Sequence, residues 1–214
     1  MSTLYYWNEF KKDLNNSLKN GQRLFDAGAG DGHWRNNILV DIDYVSMDLG
    51  VGDSNVNYSH LHITGDLASV PQDDASFDTV ICIQVLEHVP EPWNVLKEFA
   101  RILKKDGFLF LTLPHSVPIH QEPYDFYRYT KYGVQYLFDL AGFEIEMLKP
   151  QLGNTSKISN DLRMTGNLLV TQNKFYGYCY KFLAKMLDLF LVRLDSKYDL
   201  YNDTTGYFIK ARKK

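Results

Sequence analysis

Short apolar runs alternate with longer amphipathic stretches along most of this chain. Leu24-Phe25-Asp26-Ala27 is apolar on both faces apart from one acid, as a buried parallel strand requires. Similar runs lie at Tyr44 to Asp48, Leu61 to Thr64, Phe77 to Gln84, Phe108 to Leu113 and Phe143 to Leu148. Helical spacing takes over between them. Leu4, Trp7, Phe10, Leu14 and Leu18 predict a helix over 4–19. Pro92 suits the first turn of a helix expected to reach Lys105 and stop at Gly107. Thr130 is placed to cap a helix ending at Ala141, before Gly142. Such alternation predicts an α/β fold with a doubly wound, mostly parallel sheet, helices on both faces and right-handed connections.

Beyond residue 150 the pattern changes. Leu162 to Val170 predicts a short helix. Phe175 to Leu194 predicts a longer one, with Phe175, Cys179, Phe182, Leu183, Met186, Leu187, Phe190 and Leu194 along one broad apolar face. Gly206 to Arg212 then reads as a last strand.

The first strand runs into Asp26-Ala27-Gly28-Ala29-Gly30-Asp31-Gly32, with glycine at every second position. Glycines directly after a strand allow a sharp turn and a close backbone approach to a ligand. A following helix would aim its free N–H groups at that ligand, but Asn36-Asn37 keeps any such helix short. The dinucleotide fingerprint Gly-x-Gly-x-x-Gly would need glycine at position 33, which is His33. A carboxylate at the strand end suits a cofactor that carries an ammonium group.

At these residues the chain resembles the class I S-adenosylmethionine-dependent methyltransferases, closest to the type-11, ubiquinone/menaquinone-like branch. Further matches follow in order: Asp48, Gly65-Asp66-Leu67, Phe77-Asp78, Leu86-Glu87-His88-Val89, Arg101-Ile102-Leu103-Lys104 with Gly107, and Pro114. They cover residues 20–150 and the closing strand. Where the family has a tight hairpin before its last strand, this chain carries a helical insert, so one methyltransferase domain reads as a leading helix (1–20), a cofactor-binding core (21–150), the insert (151–204) and the closing strand (205–214). The resemblance implies a Rossmann-like seven-stranded sheet with an antiparallel last strand. It implies S-adenosylmethionine as cofactor and S-adenosylhomocysteine as product. Asp26, Gly28, Gly30, Asp48, Leu49, Asp66, Leu67 and Gln84 then form the cofactor set. Asp48 would accept the ribose hydroxyls and Asp66 the adenine amino group, while the leading helix would lie over the cofactor.

Composition narrows the partners. A formal net charge of −3 and no basic stripe argue against nucleic acid. Two cysteines, Cys82 and Cys179, make no disulfide framework and are expected as small buried hydrophobes. With no signal-like start and no spanning run, the expected location is the cytoplasm.

Methyl transfer needs alignment and exclusion of water, and a base only where the acceptor must lose a proton. His88, after the fourth strand, and His120 are the candidate catalytic groups. His120 lies in the segment 114–130, which mixes proline, histidine and aromatics with Glu122, Asp125 and Arg128. That segment leaves the fifth strand over the ligand edge. By resemblance it implies a sugar or a natural-product or polysaccharide precursor as acceptor. Its bland role is to anchor itself through Arg128 and an acid. His115, His120 and Glu122 match no fixed ligand spacing, so no metal is expected. The insert is read as a pair of helices packing on their own domain, a homodimer interface, a lid, or a peripheral membrane contact through 175–194. Two alternatives remain: a cofactor-binding protein without turnover, and a nicotinamide-dependent dehydrogenase suggested by Tyr127-x-x-x-Lys131.

Overall fold

The structure is a computed structural model that describes residues 2–51 and 56–214, without the side chains of residues 2–5 and 189. The chain forms two compact units. The larger comprises residues 11–149 and 207–214, and the smaller residues 1–10 and 150–206.

The larger unit is built on seven strands in the order β3-β2-β1-β4-β5-β7-β6, with β7 antiparallel. These are β1 (Arg23–Ala27), β2 (Asp43–Asp48), β3 (Ile63–Thr64), β4 (Phe77–Ile83), β5 (Leu103–Pro114), β6 (Phe143–Pro150) and β7 (Gly206–Lys213). Their inner residues, such as Leu24, Phe25, Val80, Ile81 and Phe110, are inaccessible to water, as both-face burial requires. Burial of a side chain of that size stabilises the fold by about 1.5–3 kcal/mol. The parallel register sets Ala27 beside Met47 and Cys82, and Met47 beside Ile63. Four strand ends thus align along one edge.

The helices are α1 (Ser2–Ser17), α2 (Pro92–Ile102), α3 (Lys131–Leu140), α4 (Asn154–Gln172) and α5 (Lys174–Tyr198). Pro92 sits in the first turn of α2, and Thr130 caps α3 by accepting from Gly133 N at 3.1 Å. The "Phe-Asp" pair at the start of β4 is structural. The Asp78 carboxylate accepts from the backbone N–H of Arg23 at 2.9 Å and from Lys104 Nζ at 2.8 Å.

Several expectations need correction. No α-helix lies between β1 and β4 among the described residues, and a five-residue 3-10 turn, His33–Asn37, follows the glycine loop. A turn that short leaves no helix dipole of consequence. Helix α2 ends at Ile102 rather than Lys105, because Leu103 already pairs with Phe77 and a bulge takes up 104–107 before Phe108 meets Thr79. Asp106 takes the left-handed conformation there, at φ 62°. Helix α1 ends at Ser17, leaving Leu18 buried beyond it, and the Leu4 side chain lies outside the described residues.

In the smaller unit the short helix expected at 162–170 is the 19-residue α4. Its seam with α5 is small and polar. A Cβ on Gly166 would stand 2.7 Å from Lys181 Cγ, and one on Gly177 would stand 2.5 Å from Val170. Asp195, fully buried, accepts from Thr155 N and Ser156 N, each at 2.8 Å, and so caps α4. Asp188, also buried, accepts from the Ser159 hydroxyl. The expected apolar face of α5 therefore does not pack inward. Phe175, Phe182, Leu183, Met186 and Phe190 are exposed, and so is Cys179. Close approach of two helix backbones selects glycine, alanine and short polar groups at the seam, which turns the large side chains outward.

Candidate functional site

The glycine loop turns at the end of β1. Gly28 has φ +72°, and a Cβ there would meet Val85 Cγ2 at 2.3 Å. Only glycine combines that conformation with that approach. The backbone N–H groups of Gly28 and Ala29 both donate to Met47 O, at 2.8 and 3.1 Å, tying the loop to β2. Gly30 has φ +55°, and its Cβ position faces open space with nothing within 4 Å.

The acids lie on adjacent strands. Asp26 is 1% exposed and accepts from the Tyr44 hydroxyl. Burial pushes its carboxyl up to about 7, against the lowering effect of the Tyr44 bond. The Asp48 carboxylate accepts from Gly30 N at 3.0 Å and from Gly50 N at 2.9 Å, bridging the loops after β1 and β2. Asp66 is exposed and accepts from Ala68 N at 2.9 Å. Leu67 beside it is buried, whereas Leu49 projects into solvent. Gln84, the residue after β4, lies in the left-handed region, at φ 56°. Its side-chain amide donates to Thr112 Oγ1 at 3.0 Å, which holds it against β5. A non-glycine residue in that conformation is uncommon and concentrates at functional sites.

The same sheet edge continues past β4. Leu86–His88 forms a 3-10 turn, and residues 115–130 return over it from the end of β5. This segment is anchored throughout. Phe126 N donates to Glu87 O at 2.9 Å, Tyr129 OH to Leu86 O at 2.8 Å, and Tyr127 OH to Pro90 O at 2.7 Å. Arg128 forks onto both oxygens of Asp125, at 2.6 and 2.7 Å, and donates to the carbonyls of Val117 and Pro118. That guanidinium holds the Asp125 carboxyl well below the usual carboxylate range. The anchoring acid is thus Asp125 rather than Glu122.

The two candidate histidines meet here, with ring centroids 4.8 Å apart. His88 Nδ1 bonds to the Tyr124 carbonyl, and His120 Nδ1 lies 3.1 Å from the Pro118 carbonyl. A carbonyl oxygen only accepts, so each Nδ1 carries the hydrogen and each Nε2 keeps its lone pair. Arg128 Nη2 also lies 3.5 Å from His120 Nδ1, a longer contact that the nearer carbonyl outweighs. Burial, above all, moves the His88 imidazole below its ordinary range, which keeps it neutral near pH 7.

Sequence reasoning missed Glu87. It is fully buried, both of its carboxylate oxygens lack a hydrogen-bond partner, and burial pushes it up to about 7. His88 Nε2 is likewise buried without a hydrogen bond, 3.9 Å from Glu87 Oε1. His115 is not part of this cluster: its Nδ1 contacts Tyr129 O at 2.8 Å and its ring lies against Tyr207. The signal was present in Leu86-Glu87-His88, but nothing in the sequence shows that His120 closes on that pair.

Comparison with known proteins bears on this edge. Residues 25–111 match a family model described as a methyltransferase domain. The ubiquinone biosynthesis O-methyltransferase of Coxiella burnetii (strain Dugway 5J108-111) is 26% identical over 129 residues, covering 56% of this chain and 53% of that protein. The chain thus spans about half the length of that curated relative. Among solved structures, the [4+2]-cyclase SpnF aligns with TM-score 0.63 at 19% identity, over 96% of this chain and 81% of that one. The 1,6-didemethyltoxoflavin-N1-methyltransferase of Burkholderia thailandensis, solved with bound 1,6-didemethyltoxoflavin and S-adenosylhomocysteine, aligns with TM-score 0.60 at 13% identity, over 98% of this chain and 78% of that one. At these identities the structural matches establish the fold.

Proposed function

We propose that the chain is a type-11 class I S-adenosylmethionine-dependent methyltransferase, a reading supported by the methyltransferase-domain match over residues 25–111, and that it transfers a methyl group from S-adenosylmethionine to a small polar acceptor. One observation carries the cofactor reading. Asp48 bridges the backbones of Gly30 and Gly50 beside the open, left-handed Gly30. That cradle fits a nucleoside whose ribose hydroxyls meet Asp48. In this reading Asp26 receives the ammonium of the methionine portion, and Asp66 with Leu67 takes the adenine end. Gln84, Gly28 and Leu49 line the remainder.

When bound, the cofactor supplies an electrophilic methyl group. The protein's part is to align the acceptor with it and keep water away. The anchored 115–130 segment does the aligning, and its aromatic and polar side chains suit a ring bearing hydroxyls. We assign the acceptor to hydroxylated sugars or natural-product or polysaccharide precursors, with residues 151–204 as an insert in one methyltransferase domain. A hydroxyl acceptor must lose its proton, and the bare Nε2 of His88 is poised to take it.

Calorimetric titration with S-adenosylhomocysteine and, separately, NADH tests the cofactor. Heat with NADH alone would favour a dehydrogenase and overturn the reading. SpnF carries this fold as a cyclase, so turnover is tested directly, by transfer of labelled methyl from S-adenosylmethionine to purified nucleotide sugars and phenols. Cofactor binding with no transfer to any acceptor would favour a binding protein.

The outward face of α5 supports a peripheral contact with an anionic membrane. Its buried acids, Asp188 and Asp195, face α4, while Lys174, Lys185 and Arg193 are exposed with Phe182, Met186 and Phe190. Among the described residues no helix is long and apolar enough to cross a membrane. Co-sedimentation with phosphatidylglycerol vesicles, but not with phosphatidylcholine ones, is expected. A concentration-dependent dimer with no vesicle binding would point to a second copy instead.

A further inference from the structure

Glu87, His88 and His120 each offer a ligand atom, and these three atoms lie within 4.8 Å of one another. Three features distinguish the cluster from a chance surface grouping. Glu87 is fully buried, yet neither carboxylate oxygen has a hydrogen-bond partner. Buried polar groups are nearly always satisfied, and an orphaned carboxylate is costly. Both imidazoles are also fixed in the tautomer that bares Nε2, each by a backbone carbonyl on Nδ1. Metal-binding histidines are held in this way, their second nitrogen donating to a carbonyl or carboxylate. Lastly, the loop that brings His120 over Glu87 is locked by the Asp125–Arg128 fork and by His120 N donating to Asp125 at 2.9 Å. The ligand arrangement does not depend on a free side chain finding its place.

We propose that Glu87, His88 and His120 form a binding site for one divalent cation of the zinc class. Two imidazoles and one carboxylate suit zinc, cobalt or iron(II) better than magnesium, which prefers an all-oxygen shell. Zinc bonds to nitrogen and oxygen are about 2.0–2.2 Å long, so the three groups close on the ion. The approach is from the His120 side, whose side chain is 37% exposed against 13% for His88. Three protein ligands leave a fourth position for water or an acceptor hydroxyl. With an ion in place, the Nε2 lone pairs no longer take a proton, so this site and the proposed base are mutually exclusive states of the same atoms.

The test is titration of the full chain, stripped with chelator, with cobalt(II), followed by visible absorption and by zinc competition. The expected result is one equivalent bound with ligand-field bands, displaced by zinc and not by magnesium. H120A and E87Q should each weaken binding by about 100-fold or more, beyond the 10–100-fold typical of an outer-shell loss, while H115A should bind as the parent does. If E87Q fails to fold, H120A, on a surface loop, still decides the matter. No stoichiometric binding, or binding unchanged in H120A, overturns the proposal. S-adenosylhomocysteine titration of the unaltered protein reads the cofactor site separately, so either proposal can fail alone.

Discussion

Gly28→Ala is the sharpest probe of the glycine loop, because two distinct costs meet at one atom. The residue sits at φ +72°, and an added Cβ would lie 2.3 and 2.8 Å from the two methyls of Val85. An L-residue in the left-handed region costs about 1–2 kcal/mol. Displacing a packed side chain adds about 1–3 kcal/mol. The sum is roughly 2–5 kcal/mol, which at about 2–4 °C per kcal/mol for a chain of this size lowers the melting temperature by roughly 4–20 °C. Gly30→Ala is the internal control. It shares the backbone cost, at φ +55°, but meets no atom within 4 Å. It should lose only roughly 2–8 °C and instead weaken S-adenosylhomocysteine binding by intruding on the cradle. Val85→Ala removes the two methyls. The double variant G28A/V85A should therefore be more stable than the sum of its parts, by about 0.5–3 kcal/mol. The assay is thermal and urea unfolding of all four variants, with cofactor titration alongside. Strict additivity of Gly28→Ala and Val85→Ala, or equal melting losses for the two glycine variants, would refute the argument.

Asp48→Asn keeps the size but removes the charge that accepts from Gly30 and Gly50. Charged hydrogen bonds contribute about 1.5–3 kcal/mol each, so S-adenosylhomocysteine affinity should fall roughly 10–100-fold by calorimetry. Asp26 has a folded value near 7, above its ordinary 3.8. Its protonated form therefore favours the folded state, an advantage fully present below about pH 4 and lost as pH rises through 7. Asp26→Asn should flatten that decline in urea midpoints between pH 4 and 8. The same carboxyl must ionise to meet an ammonium, so S-adenosylhomocysteine should bind the parent protein more tightly as pH rises through 7, a trend the Asn variant loses. Tyr44, His33 and Asp48 are the groups that bias this titration. Arg128→Lys replaces a two-pronged clasp on Asp125 by a point charge. It should raise the acceptor KM several-fold and leave cofactor affinity unchanged, measured by methyl-transfer kinetics.

Local chemistry made much of the cofactor half readable in advance. A β1 that is apolar on both faces, an acid at its end and alternating glycines leave few other backbones, because only glycine turns at Gly28 and Gly30 without strain. The Thr130 cap and the Pro92 start were readable for the same reason: their partners lie within one helical turn. The 104–107 bulge was not, since the helix signal of Leu96 to Leu103 is local while the pairing of Leu103 with Phe77 is not. What the apolar face of α5 meets stayed open, because periodicity marks an apolar stripe without saying what covers it. The close fit of Gly166 and Gly177 turned that stripe to solvent.

The sequence by itself determined the order of strands and helices, the glycine turn, and the three acids at neighbouring strand ends, because each follows from residue-level conformational preference and parallel register. Only the tertiary structure decided that His120 reaches Glu87 and His88 across more than thirty residues. It also decided that Arg128 clasps Asp125 and that the buried Glu87 carboxylate is left without a hydrogen bond. Those facts depend on how a loop without periodic pattern folds back on the sheet edge, where the balance among many weak contacts sets the geometry and no short-range rule constrains it.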